Sequence, residues 1–430
     1  MKNSVIALSA LISTCGLAIA GGPAAVSGEI VVREGDMIDG SVVSSINSPF
    51  TNGNGDVGAV LALDDGRRAI WYGTGVIFTS DMGLPDSLTG GEGTMGIGNN
   101  GEFIYSPSFN GNDAVWGQNG LILAEPDQAP GLAAGFLSTF NSRPQMIDDG
   151  TGFWVGGVND GMGGTSTASR HLFRSNPDGS LARVMGAGDV IGNSGGLTIN
   201  ASNGIDFDYH VSGNGSNMIN ALVANTSSTS DGIIAVNGSQ VARESFATGQ
   251  GDNWANFDHV SINNSGNYVF SGDTDGASSS DEFIAYNADI VLREGMSVGG
   301  LTLGSSVNAL SINNLNQSVF IWSTVEATET LFFADDPMNF SSAIALLSVG
   351  DTFDENNDGI GDWIIDDFNA SGSIGPGLDF AEDGLVYVEV DLVSFDGAST
   401  FEAIISVAVP TPGTGALLAF AGLAATRRRR

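Results

Sequence analysis

The sequence predicts an all-β fold, a β-propeller of about seven four-stranded blades. Three observations point there. The chain holds 62 glycines among 430 residues and few helix-forming runs, and its frequent Asn, Asp, Ser and Gly clusters separate short apolar stretches. DGIIAVNGSQVARE (231–244) and DEFIAYNADIVLRE (281–294) agree at seven of fourteen positions, and SINNSGNYVF (261–270) returns as SINNLNQSVF (311–320), both after 50 residues. Each unit holds about four strands. One such sheet cannot bury both faces alone, but successive sheets stacked around an axis can.

In chain order, residues 1–20 come first. Lys2, an apolar run from Val5 to Leu17 and Ala18-Ile19-Ala20 have the layout of a secretory signal peptide with a small-residue cleavage site. The single cysteine, Cys15, lies inside it, and Ile12-Ser13-Thr14-Cys15 makes only a poor lipoprotein box. Cleavage at Ala20 leaves a cysteine-free body without disulfides or a thiolate nucleophile. Of the 14 basic residues, Lys2 and Arg427 to Arg430 are terminal, which leaves nine arginines against 49 acids in the body. Such a surface repels nucleic acid and anionic lipid and attracts divalent cations. With 42% hydrophobic residues, the chain has enough apolar surface to fold.

The body, 21–408, is read as one repeat domain. Units start near 29, 76, 121, 181, 240, 290 and 341, which gives seven blades, with six or eight also compatible; two β-sandwiches are the competing architecture. The body opens on Ile30-Val31-Val32-Arg33 without its hairpin partner and closes on Phe401 to Val407, likewise unpartnered. Residues 30–33 are therefore expected antiparallel beside 403–407, closing the ring.

Within the repeats, Asn263-Asn264-Ser265-Gly266-Asn267-Tyr268-Val269-Phe270 fits N-x-x-G-x-x-x-F. The pattern decays elsewhere, with Gly98 in the Asn place ahead of Gly101 and Gln317 in the Gly place after Asn314. On these residues the chain resembles exported bacterial tandem-repeat proteins of variable C-terminal anchor, a resemblance that implies no activity.

Chemistry-bearing residues are few. DENNDGIGD (354–362) spaces Asp354, Asn356, Asp358, the Ile360 carbonyl and Asp362 as alternate oxygen ligands around a turn at Gly359, with Asp366 or Asp367 as a late ligand. Alternate side chains can converge on one hard cation, so this loop is expected to hold a structural calcium ion. Ile365 stands where an EF-hand has its bidentate Glu; the loop looks more like the Asp-rich loops of thrombospondin type 3 repeats. Gly192-Asn193-Ser194-Gly195-Gly196 has the look of a serine-protease loop but lacks the histidine context. His171, His210 and His259 are read as packing residues, and the Arg33-Glu34, Arg243-Glu244 and Arg293-Glu294 pairs as structural links between blades. No catalytic residue and no organic cofactor are assigned.

The tail, 409–430, has 14 uncharged residues between Pro412 and Arg427, then four arginines. As a helix that core spans about 21 Å, short of a hydrocarbon layer of about 30 Å. With Pro410-Thr411-Pro412-Gly413 ahead of it, the segment resembles a PEP-CTERM sorting signal, although Thr411 departs from the usual Pro-Glu-Pro. The resemblance implies an exosortase-like protease as partner and only transient membrane contact. A plain C-terminal anchor is the alternative. The expected protein is thus an exported, envelope- or matrix-associated binding or structural propeller with a possible polysaccharide or surface-protein ligand. The alternative function is a secreted hydrolase or lyase acting on polysaccharide.

Overall fold

A computed structural model describes residues 25–73, 75–79, 95–109, 112–133, 135–139, 143–159, 169–202, 204–370 and 377–410. The expected signal peptide and nearly all of the sorting segment lie outside these residues. The described chain is all-β, with a 3-10 turn at Phe340–Ser342 as its single helical element, and no helix in it is long and apolar enough to cross a membrane.

The strands form seven sheets in sequence order, each built on an antiparallel meander, and the arrangement is that of a β-propeller. Sheet 4 is the plainest: Ile205–Val211, Asn217–Leu222, Gly232–Val236 and Ser239–Arg243. Sheet 5 repeats it with Val260–Ile262, Tyr268–Asp273, Glu282–Tyr286 and Asp289–Arg293. The unit starts read from the sequence fall on the fourth strand of each sheet, for example Glu29–Arg33, Leu181–Gly186 and Ser239–Arg243. The sequence period is therefore right and its phase is one strand early.

Side chains alternate across each strand, and both faces of each sheet are covered, so the strands read as continuous apolar runs. In sheet 5, Phe270 packs toward sheet 4 with Met218 and Ile234, while its neighbour Val269 packs toward sheet 6 with Phe320 and Phe332. Seven apolar clusters follow this rule, each joining two successive sheets. One of them joins Val32, Tyr387 and Ile404 of the last sheet to Val43, Leu61 and Trp71 of the first. The N-terminal strand Glu29–Arg33 lies antiparallel to Thr400–Ala408, with Ile30 opposite Ile405 and Arg33 opposite Ala403.

The N-x-x-G-x-x-x-F pattern is a turn with a seam residue attached. Asn263 N–H donates to the Asn267 carbonyl (2.9 Å), Gly266 N–H donates to the Asn263 carbonyl (2.9 Å), and the Asn263 Oδ1 accepts from Ser265 and Asn267 N–H. This three-residue hairpin loop needs a left-handed residue at its end, which Gly266 supplies at φ +79°. The same pair of backbone bonds recurs in every sheet, beginning at Asn52, Gly98, Ile147, Ser212, Asn263, Asn313 and Ala381. Seven residues after each start stand Ala59, Tyr105, Trp154, Ile219, Phe270, Phe320 and Val388, all fully buried. In sheet 6 the turn starts at Asn313, one residue before the Asn314 expected from the sequence. The left-handed place is then Asn316 (φ +63°), not Gln317, because Asn tolerates that region almost as glycine does.

Two substitutions test this. Gly266→Ala puts a Cβ into a left-handed turn and is expected to cost about 1–2 kcal/mol. Gly266→Asn, which puts at the same place the residue type that Asn316 shows to be tolerated there, should change stability by less than about 0.5 kcal/mol. Urea unfolding of the two variants reads the difference; equal losses would refute the shared-turn assignment.

The axial face as the candidate functional site

Strands Phe50–Thr51, Gln145–Met146, Ile205–Val211, Val260–Ile262, Leu301–Ile312 and Leu378–Phe380 border the axis, where their inner edges have no neighbouring strand to pair with. Side chains from the adjacent sheet take that place. Gln145 of sheet 3 accepts the Val211 N–H of sheet 4 (2.7 Å) and donates to the Tyr209 carbonyl (2.8 Å). His210 Nδ1 of sheet 4 accepts the Ile262 N–H of sheet 5 (3.0 Å), and Ser261 Oγ of sheet 5 accepts the Ile312 N–H of sheet 6 (3.2 Å). Asp379 of sheet 7 accepts both the N–H (2.7 Å) and the hydroxyl (3.0 Å) of Thr51 in sheet 1.

Two cavities of about 100 and 70 Å³ sit on this axis, and Phe50, Gln145, His210, Ser311 and Asp379 line both. The larger is walled by the turn residues Asn52, Asn263, Asn314, Asp148 and Glu382. Here the turns hold one another: Asn264 Oδ1 accepts the Asn214 N–H (2.8 Å), Asn314 Oδ1 accepts the Asn264 N–H (2.7 Å), and Glu382 accepts the Asn314 N–H (3.0 Å). A Cβ at Gly53 or Gly213 would stand 2.5 or 2.6 Å from the Asp148 carboxylate oxygens, so a side chain at either place would displace that carboxylate.

Burial sets the ionisation of these groups. His210 is pushed down to about 4, so at neutral pH it is the uncharged acceptor its hydrogen bond requires. Asp379 is pushed up to about 6 by burial, against the opposing pull of the Thr51 bonds. Burial also raises Glu382, against the Asn314 N–H. Small-molecule sites run to about 300–1,000 Å³. The axial cavities are far smaller, at a volume suited to a few waters.

The other sequence candidates lie elsewhere. Asp354 to Asp362 form the loop between Thr352–Asp354 and Trp363–Phe368 in sheet 7. Asp354 is fully buried, and its carboxylate accepts the N–H groups of Asp358 (3.2 Å) and Gly359 (2.8 Å); Asp362 accepts the Glu355 N–H (3.0 Å). Gly359 turns at φ +87° and Ile360 is exposed. Asp366 is exposed on the following strand, and no hydrogen bond among the described residues ties its side chain to the loop. His171 is buried, with Arg183 Nε donating to its Nδ1 (2.9 Å), and is pushed down to about 4, chiefly by burial. His259 lines the smaller axial cavity. Ser194 is spent inside its own turn, donating to the Ile191 carbonyl (2.7 Å).

The Arg-Glu pairs correct the sequence reading. Glu244 accepts the Gly232 N–H (2.8 Å) and Glu34 the Glu402 N–H (3.1 Å), so each caps the third strand of its own sheet. Arg293 pairs with Asp252 (2.8 Å), and Arg243 lies over the Phe246 ring (4.8 Å). The fourth strand ends beside the start of the third, which brings the glutamate to that free N–H.

Sequence reading also missed an acidic group. Among the described residues, ligand atoms of Asp258, Asp273 and Glu282 lie within 4.8 Å of one another. Glu282 accepts the Val307 N–H of the next sheet (3.0 Å) and is pushed up to about 9, chiefly by burial. Asp273 and Glu282 face each other across adjacent strands, a closeness that only the strand register creates.

No protein-family model matches the chain, and no curated protein matches it. Among solved structures, the chain is similar to BBS1N, solved in complex with ARL6DN, at 11% identity over 90% of this chain and 95% of that one, with a TM-score of 0.39. It is also similar to PorZ, a bacterial surface component of the type-IX secretion system of Porphyromonas gingivalis. That match has 11% identity, covers 85% of this chain and 47% of PorZ, and has a TM-score of 0.40. A fungal lectin from Aleuria aurantia, a six-bladed β-propeller, matches at 9% identity over 68% and 91%, with a TM-score of 0.27.

The raised Asp379 makes a signed prediction. Its folded value of about 6 exceeds the ordinary 3.8, so its contribution to stability is full below about pH 4 and is lost as pH rises through about 6. Unfolding measured across that range should show the loss in the native protein and not in Asp379→Asn; identical pH profiles would refute it.

Proposed function

We propose that this chain is an exported, non-enzymatic propeller of the cell envelope or extracellular matrix, presenting a binding or structural surface. The seven sheets are its seven blades, and the pairing of the N-terminal and C-terminal strands closes the ring. The observation that carries the reading is the state of the axis. The cavities there are small, and Gln145, His210, Asn314, Asp379 and Glu382 in their lining are engaged between sheets. Polysaccharide hydrolysis needs two carboxyl groups about 5–9.5 Å apart with room for a sugar ring between them. The axis, at about 100 Å³, offers no such room; a cavity of about 480 Å³ with Glu102 and Asp178 in its lining lies off the axis, between sheets 2 and 3.

On this reading the N-terminal 20 residues direct export, and residues 409–430 are a PEP-CTERM-like sorting segment cut by an exosortase-like partner. The ligand is a polysaccharide or a surface protein. The secreted body, applied to a polysaccharide array and followed by product analysis, tests the function. Binding without turnover and an intact mass lacking Arg427 to Arg430 are expected. Release of shortened or unsaturated sugars would place the chain with the hydrolases or lyases instead.

The reading includes a structural calcium ion at residues 354–362. The residues fit such an ion in donor chemistry: Asp354, Asn356, Asp358 and Asp362 all offer oxygens, and the turn at Gly359 brings the ends of the loop together. Asp366, exposed beyond the loop, is the least supported of the six, with the Ile360 carbonyl completing the set. Bound calcium would offset repulsion among carboxylates at the strand that pairs with Val26–Ser27. Chelation with EGTA is expected to lower the melting temperature by several degrees, about what a loss of 1–2 kcal/mol produces. Asp358→Ala should abolish that sensitivity. An unchanged melting curve would count against the ion.

A further inference from the structure

We propose that the junction between the last sheet and the first is a proton-dependent latch, in which a shared proton between Glu389 and Glu402 keeps the N-terminal strand docked. The geometry converges on Glu402. One of its oxygens accepts the Ile46 N–H of sheet 1 (2.9 Å), and the other accepts from Asn369 (3.3 Å). Its own N–H donates to Glu34 (3.1 Å), and its carbonyl accepts the Glu34 N–H (2.9 Å), immediately after the N-terminal strand. One residue thus ties the C-terminal strand both to the N-terminal strand and to the neighbouring sheet.

The groups packed around it are acidic. Glu389, buried on Leu385–Val393, meets the Glu402 side chain, and Asp391 on the same strand faces Glu402 in register. Glu34 approaches from the N-terminal side, and Asp367 lies opposite Asp391 on Trp363–Phe368. From sheet 1 come the Ile46 N–H and the Ser48 hydroxyl, both uncharged. Arg33 is turned to Asp36 and Glu355. Two buried carboxyls in contact cannot both ionise without a counter-charge, so one retains its proton and bridges the pair.

Burial, then the Glu402 contact, pushes Glu389 up to about 9; burial also raises Glu402. A carboxyl raised in the fold stabilises it fully below its unfolded value of 4.5 and ceases to do so as pH climbs through about 9. Ionisation then sets the pair, Glu34 and Asp391 against one another at the point where Glu29–Arg33 meets Thr400–Ala408. Opening begins there because Glu29–Arg33 is the edge strand of its sheet, paired with Thr400–Ala408, and is held on its N-terminal side by the short pairing of Val26–Ser27 with Phe353–Asp354.

Hydrogen exchange of the whole protein, corrected for intrinsic rates, tests the latch at about pH 6 and about pH 9.5 in the presence of chelator. Protection of the Ile30, Val32 and Ile46 amides should fall at least about tenfold more than that of Trp154 and Phe173 in sheet 3. Glu389→Gln, which donates its hydrogen bond at any pH, should hold the junction protected at both. A junction no more alkali-sensitive than sheet 3 in the native protein overturns the proposal whether or not the variant folds, as does a variant that opens equally.

Discussion

Each sheet has one edge at the axis whose N–H groups no strand can reach, and the rest of the structure is arranged around satisfying that edge. Sheets fanned about an axis diverge, so their first strands cannot hydrogen-bond to one another as a ladder would. The bonds come instead from single side chains reaching across: Gln145, His210, Ser261 and Asp379, each to a backbone N–H of the neighbouring sheet. Those side chains reach across the axis and leave there the cavities of about 100 and 70 Å³.

Outward from the axis, the work passes to apolar seams. One turn repeated in every sheet delivers a buried residue to a seam seven positions later, and neighbouring residues on that strand serve the seam on the other side. Phe270 and Val269 divide their contacts in this way. The turns also touch one another through Asn214, Asn264, Asn314 and Glu382, so spacing between sheets is set at the axis and filled at the seams.

An acidic surface is tolerable when its carboxylates are spread through solvent, but this fold also buries some where sheets meet. Glu282 and Glu402 play matching parts, each near the start of a third strand and each accepting an N–H from the next sheet. With arginines scarce, burial and like charge raise both groups above the ordinary carboxylate range.

The sequence by itself determined the strand content, the 50-residue period, the turn at Asn263 to Gly266 and the partnership of residues 30–33 with 403–407. All of these follow from local chemistry or from an unpartnered strand, which a linear pattern can carry. It also marked residues 354–362 as a turn, which lies between two strands of the last sheet. Tertiary structure decided the rest. His210 and Gln145 became bridges because of what lies one sheet away, and Asp273 met Glu282 through strand register. Asn316 took the left-handed place because the turn before it begins at Asn313, a shift that two consecutive asparagines conceal. The Arg-Glu pairs went to their own sheets, since the end of a fourth strand lies beside the start of the third. Contacts across an axis carry no periodic imprint in the chain, so their chemistry emerges only when the sheets close upon one another.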